Sequence, residues 1–137
     1  MNEPIRTGGT ETILVVEDEA LVRDLTILTL ERNGYKVLHA ENGLEALRVA
    51  EMYAGDIDLL VTDAVMPEMG GKELAGLLQT VRPFTRTLFV SGYTEEVTSV
   101  HGILPEGTAF LQKPFTANGL LNKVRDELNA KQTETSR

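Results

Sequence analysis

Leu59-Leu60-Val61-Thr62-Asp63-Ala64-Val65-Met66-Pro67-Glu68-Met69-Gly70-Gly71 is the stretch on which the fold of this chain turns. Its opening apolar run, Leu59 to Val61, reads as a buried strand. The run ends at a lone carboxylate, Asp63, and passes into a loop punctuated by Pro67, Gly70 and Gly71. Open α/β sheets place their chemistry just beyond the carboxyl ends of such strands. What else the chain brings to that edge decides what Asp63 can do.

Upstream, Thr12 to Val16 is a second continuous apolar, β-branched run, expected to be a strand buried on both faces. It stops at three acids, Glu17-Asp18-Glu19. From Ala20 the pattern becomes helical, with Leu21, Leu25 and Leu28 expected inward, until Asn33-Gly34 stops it. Tyr35 to Ala40 is a strand of mixed polarity and so belongs nearer an edge. Asn42 and Glu45 have the spacing of a capping box for a helix from Gly43 to Tyr53, with Leu44, Leu47 and Ala50 or Met52 inward.

Downstream, a helix from Lys72 to Val81 carries Leu74, Leu77 and Leu78 and is ended by Arg82-Pro83. Thr87 to Val90 is a strand ending at Ser91-Gly92-Tyr93-Thr94. The segment 95–107 holds Val97, Val100 and Ile103 at helical spacing, but Gly102, Pro105 and Gly107 allow only a short helix. Ala109 to Gln112 is the last strand and ends at Lys113-Pro114. A helix from Thr116 to Asn129, with Leu121, Val124 and Leu128 inward, closes the domain. Five strands alternating with helices predict a parallel sheet covered on both faces by right-handed crossovers.

The bulk properties fit one such domain. The chain has 137 residues, 42% hydrophobic and 25% charged, enough for a single sizeable core. Its net charge of -8, with no basic run, argues against nonspecific nucleic-acid binding. The absence of cysteine removes disulfides, thiolate metal sites and cysteine nucleophiles. No apolar stretch approaches membrane-spanning length, so no membrane contact is expected and the chain is placed in the cytoplasm. Residues 1–10 read as a flexible lead-in, 11–130 as the domain and 131–137 as a polar tail.

Four of the five strand ends carry a functional group: Glu17 and Asp18, Asp63, Ser91 and Lys113. In a parallel sheet these ends lie on one edge and can converge. Three carboxylates together call for a cation, and oxygen-only ligands select a hard ion such as Mg²⁺. A lysine and a hydroxyl beside them suit a phosphoryl group. Asp63 is then a candidate nucleophile, since carboxylate attack forms aspartyl phosphates. Taken singly, the acids could be a solvated loop and helix start, Asp63 a turn cap, Lys113 a surface charge and Ser91 a turn residue.

These stretches, joined by Ile13 to Glu19, Met66-Pro67-Glu68-Met69-Gly70-Gly71, Val90-Ser91-Gly92-Tyr93 and Leu111-Gln112-Lys113-Pro114-Phe115, resemble the receiver domain of two-component response regulators. The likeness covers roughly residues 11–130. It implies a flavodoxin-like (βα)5 fold, a doubly wound five-stranded parallel sheet in three α/β/α layers. It implies that Asp63 accepts a phosphoryl group from the phosphohistidine of a sensor histidine kinase or histidine phosphotransfer domain. Asp18 and Asp63 would then bind Mg²⁺ directly with the Val65 backbone carbonyl, and Glu17 mainly through water. Lys113 would pair with Asp63 or its phosphate, Ser91 would close on the phosphate, and Phe110 would change rotamer with it. The Lys113-Pro114 bond is similar to one that is cis in the family.

The departures from the family pattern are mild: Glu17 for aspartate, Ser91 for threonine, Phe110 for tyrosine, and Gly119 where the last helix usually carries a capping acid. A domain of this kind signals and assists its own aspartyl phosphorylation and dephosphorylation; it is not an enzyme acting on a separate substrate. Val65 and Tyr93 are poor at orienting water, so a long-lived phosphate is expected. A homodimer would use the face of the predicted fourth helix, fifth strand and last helix. The Gly-Gly-Thr-Glu-Thr lead-in and the Ser91-Gly92-Tyr93-Thr94 turn favour the C-terminal receiver of a hybrid sensor kinase over a stand-alone receiver. Two alternatives remain: a pseudo-receiver that never takes phosphate, which would typically lack Asp63, Lys113 or the acid pair, and a small aspartate-nucleophile phosphatase. The phosphatase would need a second acid two residues after the nucleophile, where Val65 stands.

Overall fold

The structure, a computed structural model, describes residues 8–92 and 109–135, with side chains through residue 130. Its elements are β1 (Thr12–Val16), α1 (Ala20–Arg32), β2 (Lys36–Ala40), α2 (Gly43–Met52), β3 (Leu59–Asp63), α3 (Gly71–Val81), β4 (Arg86–Ser91), β5 (Phe110–Gln112) and α4 (Ala117–Thr135). The strands form one parallel sheet in the order β2-β1-β3-β4-β5, so β2 lies at an edge as its mixed polarity predicts. The predicted short helix within 95–107, His101, Tyr93, Thr94 and residues 1–7 lie outside the described residues.

The two central strands show why the sheet has helices on both faces. Every residue of β1 and β3 is buried, and their side chains alternate between two cores. Ile13, Val15, Leu59 and Val61 pack with Leu30 of α1 and with Leu120, Leu121, Val124 and Leu128 of α4. Leu14, Val16 and Leu60 pack on the other face with Ala46, Ala50, Leu74 and Leu78 from α2 and α3. The side-chain period of two thus divides one apolar run between two layers.

The helix faces depart from expectation. On α1, Leu21, Leu25 and Leu28 are 72%, 54% and 45% exposed, and the buried residues are Thr26 and Leu30. This helix is apolar over most of its circumference, so spacing alone did not define one stripe. Thr26 can be buried because its hydroxyl donates to the Val22 carbonyl at 2.8 Å. On α2 the small residues Gly43, Ala46 and Ala50 are buried, while Leu44 and Met52 are exposed. On α3, Leu74 and Leu78 turn inward as expected and Leu77 does not. α4 continues past the predicted end at Asn129 to Thr135.

The chain's punctuation is as predicted. Asn42 Oδ1 accepts from the Glu45 N–H at 2.8 Å and Glu45 reaches back to the Glu41 N–H at 2.9 Å. α1 ends with Tyr35 N–H on the Leu30 carbonyl and Gly34 N–H on that of Glu31. Gly34 has φ +97°, the left-handed turn that glycine accepts without penalty. Thr116 Oγ1 accepts from the Gly119 N–H at 2.9 Å, so α4 keeps its hydroxyl cap. The Lys113-Pro114 bond is cis.

Arg125 of α4 ties the start of the domain down. It donates to Glu11 Oε2 at 2.7 Å, to the Gly8 carbonyl at 3.1 Å and to the Tyr35 hydroxyl at 3.4 Å. Burial alone would raise the Glu11 carboxyl, but the hydrogen bond and charge of Arg125 outweigh it and hold it below its ordinary value. A depressed carboxyl pKa contributes stability that is present above the unfolded value and lost as pH falls through the folded one. Arg125→Met is therefore expected to cost about 1 kcal/mol at neutral pH, a partly exposed pair being worth little more. In urea titrations the cost should shrink below pH of about 4; an equal cost at pH 3 and pH 7 would assign the loss to packing.

Candidate functional site

The sheet register sets the site. Val16 pairs with Thr62, Asp63 with Val90, and Ser91 with Gln112. The residues that follow on each strand therefore meet at one edge: Glu17 and Asp18 after β1, Asp63 closing β3, Ser91 closing β4 and Lys113 after β5. The ladder is extended there by Ala64 N–H to the Val90 carbonyl at 2.8 Å and Lys113 N–H to the Ser91 carbonyl at 2.7 Å.

The loop after Asp63 is held close. Gly71 N–H donates to the Ala64 carbonyl at 3.0 Å, and a Cβ at Gly71 would run into the Asp63 carbonyl oxygen. Only a residue without a side chain lets α3 start so near the end of β3. The Val65 N–H donates to Asp63 Oδ1 at 3.3 Å, fixing the carboxylate's orientation.

Lys113 is the hub. Its Nζ lies 3.0 Å from Asp63 Oδ2, 3.0 Å from Glu17 Oε1 and 3.4 Å from Glu19 Oε1. Burial works against its ammonium, but the hydrogen bonds and charges of Asp63 and Glu17 outweigh it and raise its pKa above the ordinary lysine value. Glu17 is buried, and burial pushes its carboxyl up to about 7 despite the Glu19 N–H and Lys113; the Asp63 charge adds to the rise. The Glu17 side chain is further held by the Glu19 N–H on Oε2 at 3.1 Å.

Carboxylate oxygens of Glu17, Asp18 and Asp63 lie within 4.8 Å of one another, close enough for one cation to touch all three. The donor set is all oxygen and anionic, which fits a hard divalent ion and excludes a soft one. Ser91 is buried and, with Asp18, Asp63, Val65 and Lys113, lines a cleft of about 790 Å³ bounded by described residues.

Of the predicted site residues, Glu17, Asp18, Asp63, Ser91, Lys113 and Val65 are brought together. Phe110 stands apart from the cleft, half-buried against Phe89, its partner in the register, and Ala64. Tyr93 lies outside the described residues, whereas Val65 is exposed at the cleft. Two features were not anticipated. Glu19 is a third carboxylate on Lys113, and its only sequence signal was a third acid in the run. Leu25, expected in the core, instead lines the cleft with Val22, Thr29 and Phe115.

A parallel sheet in the order 2-1-3-4-5, with its functional groups at the carboxyl edge, defines a flavodoxin-like doubly wound domain. The chain belongs to the response regulator receiver domain family, which it matches over residues 13–125; it is a receiver domain of two-component signalling. It is 38% identical to the sensor kinase CckA of Brucella abortus over 121 residues, 88% of this chain but 13% of that protein. Another relative, a probable transcriptional regulatory protein of a Picosynechococcus species, is matched at 35% identity over half its length. The receiver protein CpdR of Brucella abortus is 33% identical, with 86% of this chain and 97% of CpdR covered. Among solved structures, the receiver domain of the hybrid histidine kinase CckA superposes with a TM-score of 0.72 at 37% identity, covering 85% of this chain and 98% of that one. A CheY-like receiver from Methanospirillum hungatei gives 0.78 at 29% identity, over 92% and 99%. Among the described residues no helix is long and apolar enough to cross a membrane.

Proposed function

We propose that Asp63 accepts a phosphoryl group from a phosphohistidine, with Mg²⁺, and that the loaded edge is the signal. The observation that carries this reading is the Lys113 ammonium 3.0 Å from both Asp63 Oδ2 and Glu17 Oε1, beside an all-oxygen acid cluster. An Asp63 carboxylate oxygen attacks phosphorus; the O–P bond forms as the N–P bond breaks, and the imidazole leaves with the bonding pair and takes up a proton. Lys113 meets charge on the phosphoryl oxygens, and the Ser91 hydroxyl donates to one of them. Glu17, Asp18, Asp63 and the Val65 carbonyl would hold the metal ion, which when bound supplies positive charge to those oxygens.

The Val65 side chain offers no group to orient an attacking water, which favours slow loss of the phosphate. Phe110, one strand over from Ser91 and only half-buried, is the aromatic that would repack when Ser91 moves. The partner is a sensor histidine kinase or histidine phosphotransfer domain in the cytoplasm, and the working unit is residues 11–130. Membership of a hybrid kinase rests on the CckA likeness. Dimerisation through β5, α4 and the segment 95–107 rests on family resemblance alone.

Phosphoramidate, a small donor with the same N–P bond, is the simplest probe. With Mg²⁺ it should label one peptide, that spanning Asp63, and a chelator should abolish the label. Label on another peptide, or label that persists in chelator, contradicts the reading.

A further inference from the structure

The three donors of Lys113 are all engaged, and unequally. Asp63 Oδ2 and Glu17 Oε1 sit at 3.0 Å with side chains 10% and 6% exposed; Glu19 Oε1 sits at 3.4 Å with its side chain 65% exposed. An ammonium has three N–H donors and no more. Any further anion that reaches Lys113 must displace one of these partners, and Glu19 is the longest, the most exposed and the only one on a side chain free to swing into solvent.

Glu19 is also oddly placed for a structural residue. It is the N-cap residue of α1, yet its side chain makes no capping hydrogen bond. Aspartate, asparagine, serine and threonine cap well because their short side chains reach the first N–H groups. The carboxylate at this position is instead spent across the cleft, on a lysine 94 residues away.

The geometry points to Glu19 as a positioning residue that holds the third donor of Lys113 until a phosphoryl oxygen takes its place. It acts through Lys113 and competes with the incoming anion. In the unloaded domain it keeps the ammonium turned toward the acid cluster and screens it from stray phosphate; on loading it lets go. The inference rests on the phosphoacceptor reading above and adds a residue that sets how readily the site takes an anion.

Two variants and two readouts test it, each in saturating Mg²⁺. Labelling by phosphoramidate is followed against donor concentration, and beryllium fluoride, an anionic stand-in for the phosphoryl group that binds without any phosphoryl transfer, is titrated alongside. Glu19→Gln is expected to lower the half-saturating concentration of both by about fivefold, the worth of one partly exposed ion pair, with the maximal labelling rate little changed. Glu19→Asp keeps the charge but shortens the reach, and should behave like Glu19→Gln. Because no capping bond is lost, either variant should lose no more stability in urea than that ion pair is worth, about 1 kcal/mol.

Unchanged half-saturation in Glu19→Gln overturns the inference. So does wild-type behaviour of Glu19→Asp, since that would make the effect one of general charge, as would a fivefold gain from neutralising Glu31, exposed in the last turn of α1 at the end of that helix away from the cleft. Failure of the wild type to label at all would instead remove the phosphoacceptor reading, and this inference with it.

Discussion

Lys113→Met is expected to slow labelling of Asp63 by about a hundredfold at saturating donor and Mg²⁺, the usual loss when one preorganised charge facing a reacting group is removed. The ammonium is 3.0 Å from Asp63 Oδ2 and is held there by Glu17 at the same distance, so it needs no rearrangement to meet charge on the phosphoryl oxygens. Lys113→Arg keeps the charge but replaces a point donor with a planar fork, and should fall between wild type and Met. The readout is the rate of phosphopeptide appearance by mass spectrometry, with circular dichroism to confirm the fold. A Met variant that labels within twofold of wild type would take Lys113 out of the reaction.

Leu60→Ala should unfold the domain more readily without touching the chemistry. Leu60 is fully buried on β3 and packs with Leu14, Val16, Leu74 and Leu78. Removing three buried carbons from so enclosed a place costs about 3 kcal/mol, transfer and cavity together. That is a large part of the roughly 5–15 kcal/mol that holds a domain together, and it should lower the melting temperature by roughly 10 °C. Well below that temperature, labelling of Asp63 should be unchanged, because the residue lies in the core face opposite α1 and α4 and not at the cleft. A loss under 1 kcal/mol would mean that the α2–α3 layer collapses into the vacancy.

What could be read from the sequence divides along a physical line. β1 and β3 were legible because strands buried on both faces are written as unbroken apolar runs, and the carboxyl-edge rule then brought Glu17, Asp18, Asp63, Ser91 and Lys113 together from residues scattered over the chain. Caps and stops at Asn42, Gly34 and Thr116 were legible because each depends on a few neighbouring residues. The rotation of α1 was not. With Leu21, Val22, Leu25, Ile27, Leu28 and Leu30 all apolar, several faces compete, and only packing against β1 and α4 selects Leu30 and Thr26. The same rotation put Leu25 on the cleft, which no local pattern announces.

Glu19 was missed for a related reason. Its partner is set by the reach of a long side chain across the sheet edge, and a third acid after Glu17-Asp18 reads equally as a helix-start charge. Phe110 was named from resemblance, and its place beside Phe89 and Ala64 makes it a core residue as much as a surface one.

The most direct test of the account is intact-mass spectrometry of the wild type and Asp63→Asn after incubation with phosphoramidate and Mg²⁺. The account predicts one added phosphoryl group on the wild type and none on the variant, which exchanges a single buried carboxylate oxygen for an amide at nearly constant shape. Undiminished labelling of Asp63→Asn would contradict it.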